Sequence, residues 1–578
     1  MPKFAIGKIL VLSFFIFSAF GVDALAQSAQ HFFVEPSYDA LKRDELSASL
    51  IKTTSKVSWY VEDEWWNGLS EGQKLDIQGD AGRLSQEFES KIYPVLTAKF
   101  GSEWTPGIDG DPRLAILLHR MKKDVSGYWT SADEFEKLQI PTSNEREMVY
   151  LNAEKIGGDV AKSFLAHEFT HLIEFQQKDR AFNVSDDSWF YEMLAEVAPT
   201  ILGYDDILNG SYLEQRVDRF LSRPADPLTE WQSDLYDYGV VNIFGQYLRN
   251  RYGDSVLSDA LKSRNTGMKS ITAALNKNGF SEDFAQVFTD WTIAMAINNC
   301  SAGQAYCLKD GNLKNLRVIP STYFLPLSGE STVSITVQSK DWAGNWYKFI
   351  GGHDTVTLEF KSPEELNVKI PYILDMSDGT FSVSVLKVGS DSIGKLEIPG
   401  FGKTVRSLII IPSVQDKVSD ISGSYPSYVL SWTVKISGGE ETEPIIVERP
   451  RPQTGVSYTA AELQRKIAEI QQTIAALRAQ LAAAQGGTVS GVSSCGPFEK
   501  NLYYGMKGAE VSCLQDFLKK QGPDIYPEGL VTGNFLGLTK AAVIRFQEKY
   551  AYEILAPLSF SHGTGFVGSM TRAKINKL

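Results

Sequence analysis

Residues 159–175 read DVAKSFLAHEFTHLIEF, and after a polar loop residues 186–199 read DDSWFYEMLAEVAP. Val160, Phe164, Phe169, Leu172 and Ile173 fall roughly on one face at helical spacing, and Asp159 stands where an N-cap belongs, so a helix is expected. His167 and His171 are then one turn apart and project from the same side, with Glu168 beside them. A zinc ion held by two imidazoles needs a third protein ligand and keeps a position for water, whose pKa falls to about 7. Glu168 would take that water's proton and hand it to a leaving amine.

The second stretch is also helical in pattern and supplies the third ligand. Glu192 is the better candidate, because Glu196 follows one turn later and would accept from a ligand histidine's other N–H. The reverse assignment leaves Glu192 without a role. The competing reading makes the two histidines ordinary surface residues of an amphipathic helix. It is weakened by the scarcity of histidine, six in 578 residues, which makes a chance HExxH rare.

HEFTHLIEF followed by WFYEMLAE resembles the gluzincin metallopeptidases, whose pattern is HExxH, a spacer and a glutamate ligand on a second helix. Within that group it is most similar to the hyicolysin-like family. IYPVLTAKFGSEWTPGIDGDPRLAILL (92–118), GYW (127–129) and VYLN (149–152) resemble that family's amino-terminal half. The resemblance implies His167, His171 and Glu192 as zinc ligands, Glu168 as catalytic base and protein substrates. The GxMEN loop of the aminopeptidase branch is not found in the sequence, which favours an endopeptidase.

Hydrolysis of a peptide bond also needs a donor for the tetrahedral oxyanion. Tyr236 and Tyr238, in DLYDYGVVN, are the nearest downstream phenols; Tyr238 is preferred, with plain packing the alternative for each.

Outward from this stretch, the net charge of −13 argues against a nucleic-acid partner, which needs a basic stripe. Residues 1–26 carry Lys3 and Lys8, the apolar run ILVLSFFIFSAFGV, then Ala24-Leu25-Ala26, the layout of a cleavable secretory signal. Cleavage after Ala26 would leave no membrane segment. All four cysteines follow it, and export makes disulfides the default, with proximity pairing Cys300 with Cys307 and Cys495 with Cys513.

Upstream of the histidines, HFFVEPSYD and VSWYVEDEWW read as strands around a helical ELSASLIKTT. GDAGRLSQEFESKIYPVLTAKFG reads as helix ending on Gly101, and PRLAILLHRM and EMVYLNAEK as strands. Asp109 and Asp111 mark a turn rather than a calcium loop, and His119 an ordinary strand end. Downstream the chain stays mostly helical to about Asn299. Residues 320–437 then turn to short Val-, Ile- and Thr-rich runs, expected to form an all-β sandwich.

The last segment contains LYYGMKGAEVSCLQDFLKKQG, LVTGNF, LTKAAVIRFQEKY and TGFVGSMTRAKIN, and resembles the peptidoglycan-binding-like three-helix domain over nearly its whole length. Val511, Leu514, Phe517, Ala542, Val543 and Phe546 are expected in its core, and Gly508, Gly533 and Gly568 in turns. Before it, Leu463, Ile467, Ile470, Ile474, Leu477 and Leu481 make a heptad seam of under three heptads. That length suits a solvated stalk or a weak self-association.

The expected architecture is therefore multidomain. A signal peptide (1–26) precedes an α+β zincin-like metallopeptidase domain (27–315) and an all-β sandwich domain (316–437). A linker (438–456), a helical stalk or short coiled coil (457–485), a flexible linker (486–494) and a peptidoglycan-binding-like domain (495–578) complete the chain. The expected function is a secreted Zn2+-dependent endopeptidase, extracellular or periplasmic, directed to peptidoglycan by its C-terminal domain. The alternatives are a murein hydrolase cutting peptide crosslinks and a non-catalytic envelope-binding protein.

Overall fold

The computed structural model describes residues 29–362, 366–389, 392–416 and 425–437, and residues 495–578 apart from 496, 499, 504–505, 528, 536 and 557–562. The expected signal segment, both linkers and the 457–485 stalk lie outside these residues. The chain divides into two units, residues 1–445 and 446–578.

In the first unit, β1 (Gln30–Phe33), β2 (Glu45–Thr53), β3 (Val57–Glu62), β4 (Leu114–His119), β5 (Gly127–Tyr128) and β6 (Met148–Asn152) form one sheet in the order β1-β2-β3-β4-β6-β5. β3, β4 and β6 run parallel, while β1, β2 and β5 pair antiparallel to their neighbours. The parallel strands are buried at every position, which is why LAILLH and MVYLN are nearly unbroken apolar runs. Their residues alternate between two cores. Ile116 and Leu118 face the helices, whereas Ala115 and Leu117 face a smaller core with Phe32, Leu46 and Tyr60.

Three local expectations are corrected, the first being that VSWYVEDEWW is strand only to Glu62 and continues as a short helix over Asp63–Asn67. ELSASLIKT is not helical: it is β2, held between β1 and β3 with Leu46 and Ala48 buried. Pairing on both edges overrides the helix propensity of its Glu, Leu, Ala and Lys. Asp159 is not the N-cap either. The Ala161 N–H donates to the Gly158 carbonyl at 3.0 Å, so the Gly157-Gly158 turn starts the helix later, with Val160 in the cap position and no side-chain cap.

The helices are α1 (Asp63–Asn67), α2 (Glu71–Glu87), α3 (Tyr93–Phe100), α4 (Ala161–Glu174), α5 (Ser188–Ile201), α6 (Tyr212–Ser222), α7 (Leu235–Tyr252), α8 (Asp254–Leu261), α9 (Gly267–Lys277) and α10 (Phe284–Ile297). The expected helix before Gly101 is α2 and α3 joined by a π-helical turn over Phe88–Ile92; Gly101 closes it at φ 103°, a value that favours glycine. Phe88 and Tyr93 from this segment pack on Phe169 of α4. α5 lies against α7 at Gly245, where an added Cβ would come within 2.6 Å of Val197 Cγ1.

Strands β7 (Ser321–Leu325), β8 (Ser331–Ser339), β9 (Tyr347–Gly351), β10 (Asp354–Lys361), β11 (Val368–Lys369), β12 (Pro371–Met376), β13 (Phe381–Val385), β14 (Ile393–Phe401), β15 (Val405–Ile410), β16 (Ser413–Val414) and β17 (Tyr428–Ser437) make the described residues between 321 and 437 all-β. Nine of them form one connected sheet whose two halves, β14-β10-β17-β8 and β13-β12-β15-β9-β7, meet through the single pair Phe401 and Val405. Both halves contribute to one core around Phe349, Leu358, Leu408 and Trp432. This region is not tethered at a distance from the helices. Trp342, Trp346, Ile373 and Ile409 belong to the helical core, and Trp346 Nε1 donates to the Thr292 carbonyl of α10.

In the second unit, helices at Ala509–Lys520, Gly537–Lys549 and Ser569–Lys577, with a short turn of helix at Ala551–Ile554, surround Val511, Leu514, Ala542, Val543 and Phe546; Phe517 packs at the edge. Two glutamines 32 positions apart do the same work. Gln515 Nε2 donates to Thr539 Oγ1 and its Oε1 accepts from the Gly533 N–H; Gln547 Nε2 donates to Thr571 Oγ1 and its Oε1 accepts from the Gly565 N–H. The unit is thus an internal repeat in which a buried amide closes each loop onto the start of the next helix.

The disulfides Cys300–Cys307 and Cys495–Cys513 are both present. Among the described residues no helix is long and apolar enough to cross a membrane.

Candidate metal centre

His167 and His171 lie one turn apart on α4, 7% and 9% exposed, with their rings edge to face and Nε2 atoms 3.3 Å apart. α5 delivers Glu192 to the same point: its Oε2 is 3.3 Å from His167 Nε2 and 3.8 Å from His171 Nε2. The link between the two helices is pinned by a fully buried ion pair, Lys178 Nζ to Asp186 Oδ2 at 2.6 Å, and by Tyr191 of α5 donating to Asp179.

These three distances test the donor set. Four ligands about 2.0–2.1 Å from a tetrahedral ion stand roughly 3.3–3.4 Å from one another. Two edges of the observed triangle match this spacing, and the third, His171 Nε2 to Glu192 Oε2 at 3.8 Å, is longer. Glu192 Oε2 is buried and has no hydrogen-bond donor, the condition of a carboxylate oxygen shaped for a cation. His167, His171 and Glu192 therefore fit a zinc ion.

Each of the two rings has a carboxylate behind its Nδ1. Glu174 Oε2 lies 2.7 Å from His171 Nδ1, and Glu196 Oε1 lies 3.5 Å from His167 Nδ1. Glu196 is fully buried and is itself held by Arg216 and Tyr212 from α6 and by Asn242 from α7. Glu196 thus stands behind His167, but the expected hydrogen bond is not made, since His167 Nδ1 has no hydrogen-bond partner among the described residues.

Burial shapes the electrostatics. It pushes the Glu168 carboxyl up to about 8; His167 opposes this, and the charges of Glu192 and Glu196 add to it. Burial lowers His171 to about 4, which keeps that ring neutral as a ligand must be. Burial also disfavours charge on His167, but the Glu192 carboxylate 3.3 Å away, with the charges of Glu168 and Glu196, outweighs it and raises the ring to about 9. The same surplus of negative charge favours a divalent cation.

Of the two candidate phenols, Tyr238 reaches the site. Its ring centroid is 6.5 Å from that of His167 and 5.0 Å from that of Trp231, which meets it edge on. Glu192's charge first, then burial, holds its phenol well above 10, so it stays a donor. Tyr236 packs under the Arg223 guanidinium instead. Two residues apart on a helix cannot share a face.

The edge strand β5 borders the site. A Cβ on Gly127 would fall 3.1 Å from Glu168 Oε1 and 2.8 Å from the Tyr150 carbonyl oxygen, so only glycine lets the strand pass this closely. Trp129 stacks on His171, and Tyr38 packs on Tyr128.

The sequence reading missed Glu174, Arg216, Tyr212, Asn242 and Trp129. Glu174 carries a signal, a carboxylate three residues after the second histidine on the same helix face. Trp129 lies in the GYW stretch, which carried no role, and Tyr212, Arg216 and Asn242 come from elements without a motif. A second acidic group, Asp226, Asp234 and Asp237, has ligand atoms within 4.8 Å of one another. Helix capping by Asp234 and ion pairs from Arg223 account for it. Asp109 accepts from the Asp111 N–H at 2.8 Å in a turn, as expected, and His119 is a buried strand end 3.3 Å from Asp39.

No family model matches the chain, and no curated protein matches it. Among solved structures it is similar to the pre-peptidase C-terminal domain of collagenase from Bacillus anthracis, at 4% identity and TM-score 0.13 over 20% of this chain and 94% of that one. It is also similar to Aeromonas hydrophila PliG, a periplasmic lysozyme inhibitor of g-type lysozyme, at 8% identity and TM-score 0.13 over 21% of this chain and 100% of that one. Likenesses this weak carry no argument about fold or activity.

Proposed function

We propose that the chain is a secreted zinc-dependent endopeptidase, directed to the bacterial cell wall by residues 495–578. One observation carries this reading: two imidazoles from one helix and one carboxylate from another converge within 3.8 Å of one another, with the buried Glu168 beside them.

His167, His171 and Glu192 would hold the metal, which when bound supplies a water of lowered pKa and polarises the scissile carbonyl. Glu168 takes a proton from the attacking water and returns it to the leaving amine nitrogen. Tyr238, kept protonated, donates to the developing oxyanion. β5 pairs only with β6 among the described residues, so an extended peptide added to its outer edge would run past Glu168.

The secretory layout of residues 1–26 and the two disulfides support export. The resemblance of the last segment to peptidoglycan-binding domains supports wall targeting, which would raise local enzyme concentration without adding catalytic contacts. The test is metal analysis of the purified chain with peptide-library cleavage by wild type and Glu168→Gln, beside digestion of casein and of purified sacculi. Zinc near one equivalent with casein cleavage lost in Glu168→Gln supports the reading. Cleavage of sacculi alone would assign a murein hydrolase, and zinc binding without hydrolysis of any substrate a non-catalytic protein.

A further inference from the structure

Behind the metal centre lies a cation that no motif announces. Ser211 caps α6 by accepting from the Glu214 N–H at 3.1 Å, and this start places Tyr212 and Arg216 one turn apart on the same face. The Arg216 guanidinium grips Glu196 with two bonds, Nε to Oε2 at 2.7 Å and a terminal nitrogen to Oε1 at 2.7 Å. Tyr212 donates to the same Oε1 at 2.5 Å, and Asn242 Nδ2 donates to Oε2 at 3.2 Å. Oε1 is also the oxygen that stands 3.5 Å behind His167 Nδ1.

The same guanidinium lies between two aromatic rings, 4.4 Å from the centroid of Tyr212 and 5.0 Å from that of Tyr238. Its two contacts therefore point to the two sides of the proposed reaction: the carboxylate that stands 3.5 Å behind the His167 ring, and the phenol that would face the oxyanion. A buried ion pair alone would not need the second contact. Lysine could replace the charge but neither the planar fork nor the stack.

We infer that Arg216 is a positioning residue that sets the orientation of His167 through Glu196 and the placement of Tyr238 through its ring face. The inference rests on the zinc endopeptidase reading. It couples metal affinity and oxyanion stabilisation to one side chain that touches neither metal nor substrate.

The test uses the full chain as wild type, Arg216→Lys, Arg216→Met, Tyr238→Phe and the double variant Arg216→Lys/Tyr238→Phe. Zinc dissociation constants come from chelator competition, and kcat and KM from a cleaved peptide at saturating zinc. Arg216→Lys weakens zinc binding by about 10–100-fold, the scale of lost outer-shell support. It lowers kcat by about tenfold or more with KM within about threefold, and this kcat loss shrinks to under about threefold when Tyr238 is already phenylalanine. Should Arg216→Met fail to fold, Arg216→Lys carries the test.

A folded Arg216→Lys with unchanged zinc affinity, or kcat losses that multiply independently of Tyr238, overturns the inference while leaving the endopeptidase reading intact. A wild-type chain that binds no zinc overturns both.

Discussion

Glu174 Oε2 stands 2.7 Å from His171 Nδ1, with Glu174 only 1% exposed. The carboxylate belongs to the same helix as the ring it supports, so its position depends on α4 alone. His167 instead depends on a carboxylate brought in by α5.

Under the proposed reading, Glu174→Ala frees the His171 ring to rotate and removes the acceptor that selects its tautomer. Zinc affinity falls by about 10–100-fold, read by chelator competition. An unchanged dissociation constant would remove Glu174 from any part in metal binding.

Glu168→Gln keeps size and burial but cannot take a proton. Its expected kcat loss is about 10²–10⁴-fold with zinc content unchanged, measured by single-turnover cleavage and metal analysis. Residual activity close to wild type would assign the proton transfer to another group.

Tyr238→Phe leaves the ring against Trp231 and Arg216 and removes only the donor. The effect expected is a loss of about 10²–10³-fold in kcat with KM little changed. A loss in KM alone would make Tyr238 a substrate-binding residue.

Gly127→Val adds atoms where even a Cβ would meet the Tyr150 carbonyl at 2.8 Å and Glu168 Oε1 at 3.1 Å. Shifting β5 or Glu168 to make room costs about 10²-fold in kcat/KM, since ångström-scale misplacement near the chemistry costs that much. Wild-type activity from a folded variant would mean that β5 has room to yield.

Glu147 gives a pH prediction away from the metal centre. Burial raises its carboxyl from 4.5 to about 7, with Asp109's charge adding and the Ile108 N–H opposing; it lies against Glu134, which burial and the charge of Glu147 also hold high. A carboxyl raised by folding binds more protons in the native state, so its contribution is full below about 4.5 and is lost as pH rises through about 7. Glu147→Gln removes that loss. Its melting temperature should exceed wild type by several degrees at pH 8 and by little at pH 4.5, by calorimetry at both pH values; a gap of equal size at both would show that Glu147 does not titrate on folding.

The legible parts of the chain share one property: their pattern repeats over adjacent residues. HEFTH places two imidazoles on one helix face by spacing alone, and LAILLH and MVYLN are apolar enough to be read as buried strands. The same applies to the helix ending on Gly101 and to five of the six apolar positions named in the C-terminal unit, Phe517 lying at the core's edge. The misread segments are those whose neighbours decide. ELSASLIKT has helix-forming residues but lies between two strands, and Asp159 lost its capping position to a two-glycine turn next to it.

The sequence by itself determined which residues could grip a metal, because a helix converts a spacing of four into proximity without help from the rest of the chain. Only the tertiary structure decided that Glu192 completes the triangle, that Tyr238 rather than Tyr236 turns toward it, and that Arg216 touches both Glu196 and Tyr238. Those relationships join α4 to α5, α6 and α7 across a shared core, and the packing that brings separate helices together leaves no periodic mark in the residues that meet.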